Sequence, residues 1–378
     1  MTIAIMAESL PGERRVGLVP EAARYYLKRG WSVRVEGGAG VGASFPDADY
    51  EAAGVSVVAD RQALLDGARV VLKVQPPSLE EVAALPPGTV LVCQLNPLGP
   101  TEVIEALADR GITSFAVELI PRITRAQKMD VLSSQATVAG YKAVLLGANA
   151  MTRFLPMLTT AAGTVRPAKA LILGAGVAGL QAIATARRLG AVVSAFDIRP
   201  AVREQVESLG AKFLEATLEE GSEDEGGYAR ALSEEQHQRE LELIADNIRD
   251  QDLVITTAQI PGKPAPVLIT EEMVSTMRPG SAIVDLASES GGNCEATVAG
   301  QSVDQGGVTV MGPTNLPAEL PFHASQMYAR NLASFVDDLF DSEEAIDFEE
   351  EITAATCVTH GGEITNERVR AKLASAPE

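Results

Sequence analysis

The sequence predicts an α/β protein made of two Rossmann-like, doubly wound parallel-sheet domains with a cleft between them. Short apolar runs of strand length alternate with polar, Ala-rich segments of helical length, and this alternation occurs twice along the chain. The length of 378 residues exceeds that of one ordinary domain, and 46% of the residues are apolar, which is enough for two buried cores.

The first series of alternating segments has six candidate strands. Helical segments such as residues 20–29 and 101–110 separate them, which is typical of parallel strands joined by crossover helices. The strands are predicted at residues 3–6, 32–35, 55–58, 70–74, 89–94 and 113–117.

The second series follows a long helical stretch, residues 133–158, which Gly140, Gly147 and Pro156 interrupt and which we expect to connect the domains. A final helix is expected at about residues 321–340. The strands of the second series are predicted at residues 170–173, 192–196, 212–215, 253–257, 282–285 and 308–311.

Two domains are therefore expected, of which the first is discontinuous. Residues 1–135 and about 322–378 form the first domain, and residues 136–321 form the second together with the connector helix. Two α/β halves of this kind commonly enclose a small-molecule site.

Charge and composition exclude several classes of function. The net charge is −20 and no Lys/Arg cluster interrupts it, which argues against nucleic acid and anionic lipid as partners. The N-terminus has no basic segment before an apolar one, and no apolar run has the length and character of a membrane span. Cys93, Cys294 and Cys357 follow no metal or redox spacing, so we expect reduced thiols, no metal site and a cytoplasmic location.

A glycine-rich turn marks the expected ligand site. A short apolar strand runs directly into Gly174-Ala-Gly176-Val-Ala-Gly179, and a helix follows, which is the context that G-x-G-x-x-G requires. Gly174 permits the tight turn, Gly176 lets a pyrophosphate approach the backbone, and Gly179 allows close packing of helix on strand. The alternative is a glycine-rich turn without a ligand.

Asp197 ends the next predicted strand, at the spacing expected of an acid that binds the adenosine ribose. Its carboxylate would accept hydrogen bonds from both ribose hydroxyls and repel a 2′-phosphate. Arg199 complicates this choice, because a basic residue after this position can bind a 2′-phosphate. Asp197 stands before it, and the pattern therefore favours NAD(H) over NADP(H).

A second polar turn precedes the connector helix. It contains Arg122, Arg125, Gln127 and Asp130, of which Arg122 and Asp130 could pair and leave Gln127 to bind a ligand hydroxyl or amide. Ser133 and Ser134 would lie at the start of the helix, where hydroxyl groups cap. A solvated capping loop is the alternative interpretation.

Residues 221–228 are acidic and flanked by glycine, and they are predicted to form a loop that ends in Tyr228. A lid that closes on a ligand and a simple solvated loop are both compatible with it. Of the three histidines, His237, His323 and His360, none is expected beside the candidate site, and no Ser-His-Asp pattern occurs. Dehydrogenases that oxidise an alcohol or amine need an acid/base group, whereas direct hydride exchange between two nicotinamides needs none.

Together these motifs resemble those of alanine dehydrogenase and of the NAD(H)-binding α subunit of proton-translocating nicotinamide nucleotide transhydrogenase. The resemblance runs from Ile3 to about Ala333 and begins with Glu13-Arg-Arg-Val-Gly-Leu-Val-Pro-Glu21. The stretch Arg122-Ile-Thr-Arg-Ala-Gln-Lys-Met-Asp-Val-Leu-Ser-Ser134 is similar to the transhydrogenase loop that contacts the nicotinamide end of NAD(H).

The resemblance implies roles for individual residues. Gln127 would meet the nicotinamide ribose, Arg122 and Asp130 would hold the loop and the nicotinamide, and Ser133 would contact the carboxamide; these four are the expected catalytic group. The other implied cofactor contacts are Ile123, Thr124, Arg125, Gly174, Gly176, Val177, Gly179, Asp197, Ile198, Arg199, Gly227 and Tyr228, the last two in a closing loop.

Alanine dehydrogenase is the rival interpretation, because the resemblance implies the same fold. Its chemistry uses a lysine and a histidine, and at the matching places this chain has Gln75 and Asn96, which cannot shuttle a proton near neutral pH. Arg15, which would bind a substrate carboxylate, is retained. These replacements favour the transhydrogenase.

The resemblance thus implies a soluble subunit of an NAD(P)+ transhydrogenase of the proton-translocating type, Si-specific or Re/Si-specific. It would pass hydride from NADH to NADP+ on a partner subunit, form a homodimer, and attach peripherally to the inner membrane through membrane-spanning partner subunits. A metabolite dehydrogenase with unusual catalytic groups and a non-catalytic NAD(H) sensor are the alternative hypotheses.

Overall fold

The strands of the protein form two large sheets, one in each of two units of the chain. The computed structural model describes residues 1–215, 233–260 and 262–375. The first unit consists of Met1–Gln135 and Pro317–Glu378, and the second of Ala136–Leu316.

The described strands, in chain order, are β1 (Thr2–Ile5), β2 (Ser32–Glu36), β3 (Ser56–Val58), β4 (Val70–Leu72), β5 (Val90–Cys93), β6 (Thr113–Ala116), β7 (Leu158–Thr160), β8 (Gly163–Val165), β9 (Lys169–Leu173), β10 (Val192–Phe196), β11 (Lys212–Phe213), β12 (Leu253–Thr256), β13 (Ala282–Asp285), β14 (Ser302–Gln305), β15 (Val308–Met311), β16 (Cys357–His360) and β17 (Glu363–Ile364).

The described α-helices are α1 (Pro20–Leu27), α2 (Asp47–Ala52), α3 (Arg61–Leu65), α4 (Leu79–Ala84), α5 (Glu102–Asp109), α6 (Val131–Ala150), α7 (Val177–Arg188), α8 (Arg203–Ser208), α9 (Glu234–Ile248), α10 (Glu271–Thr276), α11 (Pro321–Leu339), α12 (Glu351–Thr356) and α13 (Glu367–Ser375).

The sheet of the first unit has the strand order β17-β16-β6-β5-β4-β1-β2-β3. Its six N-terminal strands are parallel, because each crosses over through a helical segment, while β16 adds antiparallel to β6 and β17 antiparallel to β16. Apolar side chains from β1, β4 and β5 pack with those of α1 and α11 in one of its buried clusters.

The sheet of the second unit has the order β11-β10-β9-β12-β13-β15-β14. Its strands are parallel except β14, which forms an antiparallel hairpin with β15 at the edge. The order reverses between β9 and β12, so the loops after these strands form the switch point at which nucleotides bind in open α/β sheets. A separate two-stranded hairpin joins β7 and β8.

The predicted α/β class with two Rossmann-like domains is confirmed, and all twelve predicted strands exist, with ends that differ by at most two residues from the predicted ones. Five strands escaped prediction: β7, β8, β14, β16 and β17. All five pair antiparallel and none is longer than four residues, so they lack the crossover pattern that revealed the others.

The connector helix differs from its prediction at both ends. It begins at Val131 and ends at Ala150, so the expected continuation to residue 158 is wrong. Gly140 and Gly147 lie inside it without interrupting it, and they serve close packing instead. A Cβ atom at Gly140 would collide with the carbonyl oxygen of Ala178 in α7, and one at Gly147 with the side chain of Leu253.

Candidate dinucleotide-binding site

The turn after β9 has the backbone conformation that its first glycine permits. Gly174 has φ +96°, a region that residues with a Cβ atom rarely enter. Its N–H donates to the carbonyl oxygen of Phe196 at 2.8 Å, which fixes the turn to the end of β10. A Cβ atom here would also collide with the hydroxyl of Thr257. Only glycine therefore suits this position.

The other two glycines differ in what surrounds them. Gly176 is the N-cap of α7, and a Cβ atom built on it would meet no atom within 4 Å. At Gly179, by contrast, a Cβ atom would collide with the carbonyl oxygen of Gly174, because α7 packs directly on the turn. The turn thus has one glycine that faces open space and two that are enclosed, which fits a pyrophosphate approaching at Gly176.

The N-terminus of α7 supplies attraction for an anion. The first intrahelical bond runs from Leu180 N–H to the Gly176 oxygen at 2.8 Å, so the preceding N–H groups have no partner within the helix. Val177, the first helical residue, is 39% exposed. Such an N-terminus attracts phosphate even in a protein of strongly negative charge, because the attraction is local.

The Asp197 carboxylate follows β10 and is bonded through both oxygens. Oδ2 accepts from the N–H of Ala175 at 2.7 Å, which connects it to the glycine turn, and Oδ1 accepts from the N–H of Arg199 at 2.9 Å. Ile198 between them packs against a buried apolar cluster. Asp197 therefore lies beside the turn, where the motif places the acid that binds the adenosine ribose.

The guanidinium of Arg199 bonds to the same carboxylate. Nε donates to Oδ1 and Nη2 donates to Oδ2, both at 2.9 Å, and the Arg199 side chain is only 15% exposed. This is a bidentate ion pair. The charge of Asp197 is consequently balanced by its neighbour.

One of the three histidines bonds to a buried carboxyl group of α9. His237 Nδ1 is hydrogen-bonded to Glu240 Oε2 at 2.9 Å on α9. The pKa of the Glu240 carboxyl is raised, chiefly by burial, and the negative charge of Asp197 adds to the rise. The expectation that no histidine lies beside the candidate site stays a prediction. The spacing His-x-x-Glu, which places both side chains on one face of a helix, was the sequence signal for this hydrogen bond.

The second polar turn belongs to the first unit and forms a 3-10 helix, Thr124–Met129. Ile123 packs against the core, whereas Thr124 and Gln127 are exposed. The Gln127 side chain has no hydrogen-bond partner among the described residues. Its amide is thus presented to solvent by a turn that Ile123 and the buried Met129 anchor.

Asp130 caps the connector helix, which differs from the expected capping by hydroxyl groups. Its Oδ1 accepts from the N–H of Ser133 at 2.8 Å, and its Oδ2 accepts from the Ser133 hydroxyl at 2.6 Å. The Ser134 hydroxyl donates to the carbonyl oxygen of Val131 at 3.1 Å. The predicted cap is therefore wrong in its residue, since the carboxylate is the acceptor and Ser133 the donor.

The two arginines of this turn, Arg122 and Arg125, are both exposed. Arg125 forms ion pairs with Asp338, at 3.3 Å, and with Glu350, so its guanidinium is engaged within its own unit. The expected pair of Arg122 with Asp130 stays a prediction. Gly227 and Tyr228, the expected closing loop, lie outside the described residues.

The positions that would distinguish a metabolite dehydrogenase lie after β4 and β5. The Gln75 amide donates to Glu13 Oε2 at 2.9 Å, and Glu13 forms a buried ion pair with Arg15. Asn96 has φ +49°, and its N–H donates to Glu118 Oε1 at 2.6 Å. Arg15 is 3% exposed and also donates to Gln135 Oε1. Gln75 and Arg15 thus both bind Glu13, and the backbone of Asn96 binds Glu118.

Over the described part of the chain no cluster of three His, Cys, Asp or Glu residues could hold a metal ion. No helix there combines the length and apolar character needed to cross a bilayer. Cys93, Cys294 and Cys357 are buried free thiols, and burial raises the pKa of each.

Comparison with known families covers nearly the whole chain. The alanine dehydrogenase/PNT N-terminal domain matches residues 4–139, and the C-terminal domain of the same family matches residues 143–367. The chain belongs to the alanine dehydrogenase/PNT family. This confirms the resemblance inferred from the sequence motifs.

Individual relatives fall on both branches of that family. An NAD(P) transhydrogenase subunit alpha protein of Rhodospirillum rubrum is 48% identical over 376 residues, which cover 97% of this chain and 98% of that protein. Alanine dehydrogenase of Halomonas elongata is 32% identical over 374 residues, 97% of this chain and 95% of that protein. The crystal structure of a transhydrogenase from Sinorhizobium meliloti superposes with a TM-score of 0.88 at 48% identity and covers 96% of this chain and 100% of that chain.

Proposed function

We propose that this chain is the NAD(H)-binding subunit of a proton-translocating transhydrogenase. Hydride would pass directly between NADH held here and NADP+ held on a partner subunit, and membrane subunits would couple the transfer to proton movement. The observation that carries the proposal is the turn at Gly174, with open space over Gly176 at the N-terminus of α7 and Asp197 beside it.

In this proposal the chain contributes binding and orientation. The backbone N–H groups at the start of α7 hold the pyrophosphate, and Asp197 holds the adenosine ribose. Gln127, with Arg122, Asp130 and Ser133 around it, contacts the nicotinamide end. Bound NADH supplies the hydride. Because the nicotinamide is held in a fixed orientation, the transfer to NADP+ becomes an effectively unimolecular step.

The side chains at two positions of the first unit favour the transhydrogenase over an amino-acid dehydrogenase. Gln75 and Asn96 offer no group that titrates near neutral pH, and Gln75 and Arg15 already bind Glu13. The identity of 48% to a transhydrogenase subunit, against 32% to an alanine dehydrogenase, points the same way.

The direct test mixes the purified chain with an NADP(H)-binding partner subunit and follows hydride transfer from NADH to an NADP+ analogue. We expect turnover only when both proteins are present. Absence of turnover with a folded partner would refute the proposal. Consumption of NADH by pyruvate and ammonia without any partner would instead establish the dehydrogenase, and partner binding without hydride transfer would establish a sensor.

Gln127→Asn tests the nicotinamide end. The shorter side chain moves the amide by one methylene, so we expect the hydride-transfer rate to fall by about 10-fold or more while the Kd for NADH changes less than about 3-fold. Single-turnover kinetics and calorimetry measure the two quantities. Gln205→Asn, at another exposed glutamine, is the matched control. Equal losses of rate and affinity in Gln127→Asn would contradict the assignment.

We further propose that the chain forms a homodimer and attaches to the inner membrane only through its partner subunits. Exposed apolar side chains on the β7–β8 hairpin and just before it support the dimer: Phe154 is 60% exposed, Met157 63% and Val165 44%. Light scattering of the wild type and of Phe154→Ser/Met157→Ser measures the oligomeric state, and the variant is expected to be monomeric.

A further inference from the structure

The Asp197 carboxylate accepts four hydrogen bonds from the described part of the protein. Oδ1 accepts from the N–H and from the Nε of Arg199, both at 2.9 Å. Oδ2 accepts from the N–H of Ala175 at 2.7 Å and from the Nη2 of Arg199 at 2.9 Å. A carboxylate has about four lone-pair sites for hydrogen bonds. The group that the adenosine ribose needs is therefore filled by the protein itself.

Two of these four bonds come from the backbone and two from a side chain. The Ala175 N–H lies in the glycine turn, and the Arg199 N–H is held because Arg199 precedes Pro200 and has the extended backbone (φ −92°, ψ 111°) that a following proline favours. Both of these donors are fixed by the fold. The two guanidinium bonds, by contrast, break when the side chain of Arg199 rotates, so these are the bonds that a ligand can replace.

The guanidinium occupies the acceptor sites that two ribose hydroxyls require. Its Nε and Nη2 each donate to a different oxygen of Asp197, which is the bidentate arrangement of a planar fork. A ribose with free 2′- and 3′-hydroxyls also offers two neighbouring donors, one for each oxygen. Because the backbone N–H groups keep the other sites, the carboxylate has room for one of these pairs of donors and not for both.

Burial makes this competition significant. The side chains of Asp197 and Arg199 are only 6% and 15% exposed, so salt and water screen the ion pair less than they would screen one on the surface. Binding of a ribose breaks two charge-assisted bonds and returns two bonds to the carboxylate. When only a fraction of the protein has the binding-competent conformation, the apparent affinity is reduced by that fraction.

We propose that Arg199 competes with the adenosine ribose for Asp197 and thereby lowers the affinity of the site for NAD(H). The proposal rests on the proposed function, because it takes the ribose to bind at Asp197. The guanidinium leaves the carboxylate when the nucleotide binds and returns when the nucleotide departs. Weakened binding suits a site that exchanges NADH for NAD+ in every turnover, since tighter binding of the ground state does not raise kcat.

The test compares 5′-AMP, which has both hydroxyls, with 2′,3′-dideoxy-5′-AMP, which has neither, by calorimetry on the full chain. Arg199→Met removes the guanidinium and keeps an unbranched side chain. The affinity for 5′-AMP relative to that for the dideoxy probe should then rise by about 3- to 10-fold. The loss of a positive charge weakens the binding of both anionic probes alike and cancels in this ratio. An unchanged or lower ratio overturns the inference.

Two further variants separate the two guanidinium bonds from other causes. Arg203→Met removes the same charge from an exposed arginine nearby in the chain, whose side chain pairs with Glu207, and should leave the ratio unchanged. Arg199→Lys keeps the charge but cannot bond to both oxygens as a planar fork, so the ratio should rise by a smaller factor than in Arg199→Met. A rise in Arg203→Met equal to that in Arg199→Met, or no rise in Arg199→Lys, overturns the inference.

The test also distinguishes this inference from the proposed function. A wild-type chain that binds neither NADH nor 5′-AMP contradicts the nucleotide site itself. Equal affinities for the two probes, in the wild type and in Arg199→Met, contradict the placement of the ribose at Asp197. A preference for 5′-AMP that is the same in both proteins contradicts only the role of Arg199.

Discussion

The parallel strands of the two sheets have the same order, but the carboxyl edges of the two sheets differ. Among the six parallel strands of each sheet, the first lies at the centre with the second and third on one side and the fourth, fifth and sixth on the other. After β9 the chain turns through three glycines and leaves open space over Gly176. After β1 it continues into Glu8, whose carboxylate accepts from the N–H groups of Val74 and Gln75.

This difference shows that the same strand order can provide a ligand site in one sheet and none in the other. The turn after the first strand of each sheet determines whether a ligand can bind there. In the second unit, backbone N–H groups at a helix start remain available to an external anion. In the first unit, side-chain carboxylates already occupy the corresponding edge: Glu8 and Glu81 lie around the buried ammonium of Lys73. Function is thus read from the turn and not from the sheet.

Removing the central cation of the first unit should have the largest effect. Lys73 is fully buried, and its Nζ donates to the Ala7 oxygen at 3.2 Å and to Glu81 Oε1 at 3.3 Å. Lys73→Met leaves Glu8 and Glu81 without this counter-ion, which should lower the free energy of unfolding by about 3–5 kcal/mol.

Urea unfolding measures this loss, and Lys28→Met, at an exposed lysine of the same unit, is the control with an expected change below about 0.5 kcal/mol. A loss in Lys73→Met as small as that of the control would mean that the acids at this edge do not depend on the cation. The comparison between the two edges would then fail.

Substitutions at two glycines of the turn should have different effects, one mainly on stability and the other mainly on the affinity for NADH. Gly179→Ala forces a Cβ atom against the Gly174 carbonyl and should cost about 1–3 kcal/mol of stability. Gly176→Ala meets open space and should cost less than about 1 kcal/mol, but its methyl group obstructs the pyrophosphate, so the affinity for NADH should fall at least about 10-fold.

Thermal unfolding and calorimetry on both variants check this separation. If Gly176→Ala binds NADH as the wild type does, the pyrophosphate does not approach there. If it unfolds as easily as Gly179→Ala, the space over Gly176 is not open.

The features of the two sheets that depend on the pattern of neighbouring residues could be predicted from the sequence. The twelve parallel strands and the turn at Gly174 follow from apolar runs and glycine spacing, which are properties of neighbouring residues. The ion pair of Arg199 with Asp197 was not predicted, because it depends on side-chain rotamers. The strands β16 and β17 were missed since a distant C-terminal segment pairs with β6.

The smallest expected effect concerns a second buried acid of the first unit. Glu118 Oε1 accepts from the N–H groups of Leu95 and Asn96 at 2.8 and 2.6 Å, while Oε2 is buried and has no hydrogen-bond partner among the described residues. In the second unit Asp285 is fully buried, and both of its oxygens accept hydrogen bonds, among them those from Thr256 and Thr297.

Burial raises the pKa of Glu118 to about 7, so the folded chain holds a proton that the unfolded chain releases. Stability from this proton is fully present below the ordinary glutamate pKa and is lost as pH rises towards the folded pKa. Between about pH 5 and about pH 8 the wild type should lose about 1–2 kcal/mol that Glu118→Gln, which cannot ionise, retains. Urea unfolding at a series of pH values measures the difference in slope, with Glu21→Gln as the exposed control. Parallel pH profiles of wild type and Glu118→Gln would mean that this edge accommodates the ionised carboxylate as readily as the second unit accommodates Asp285.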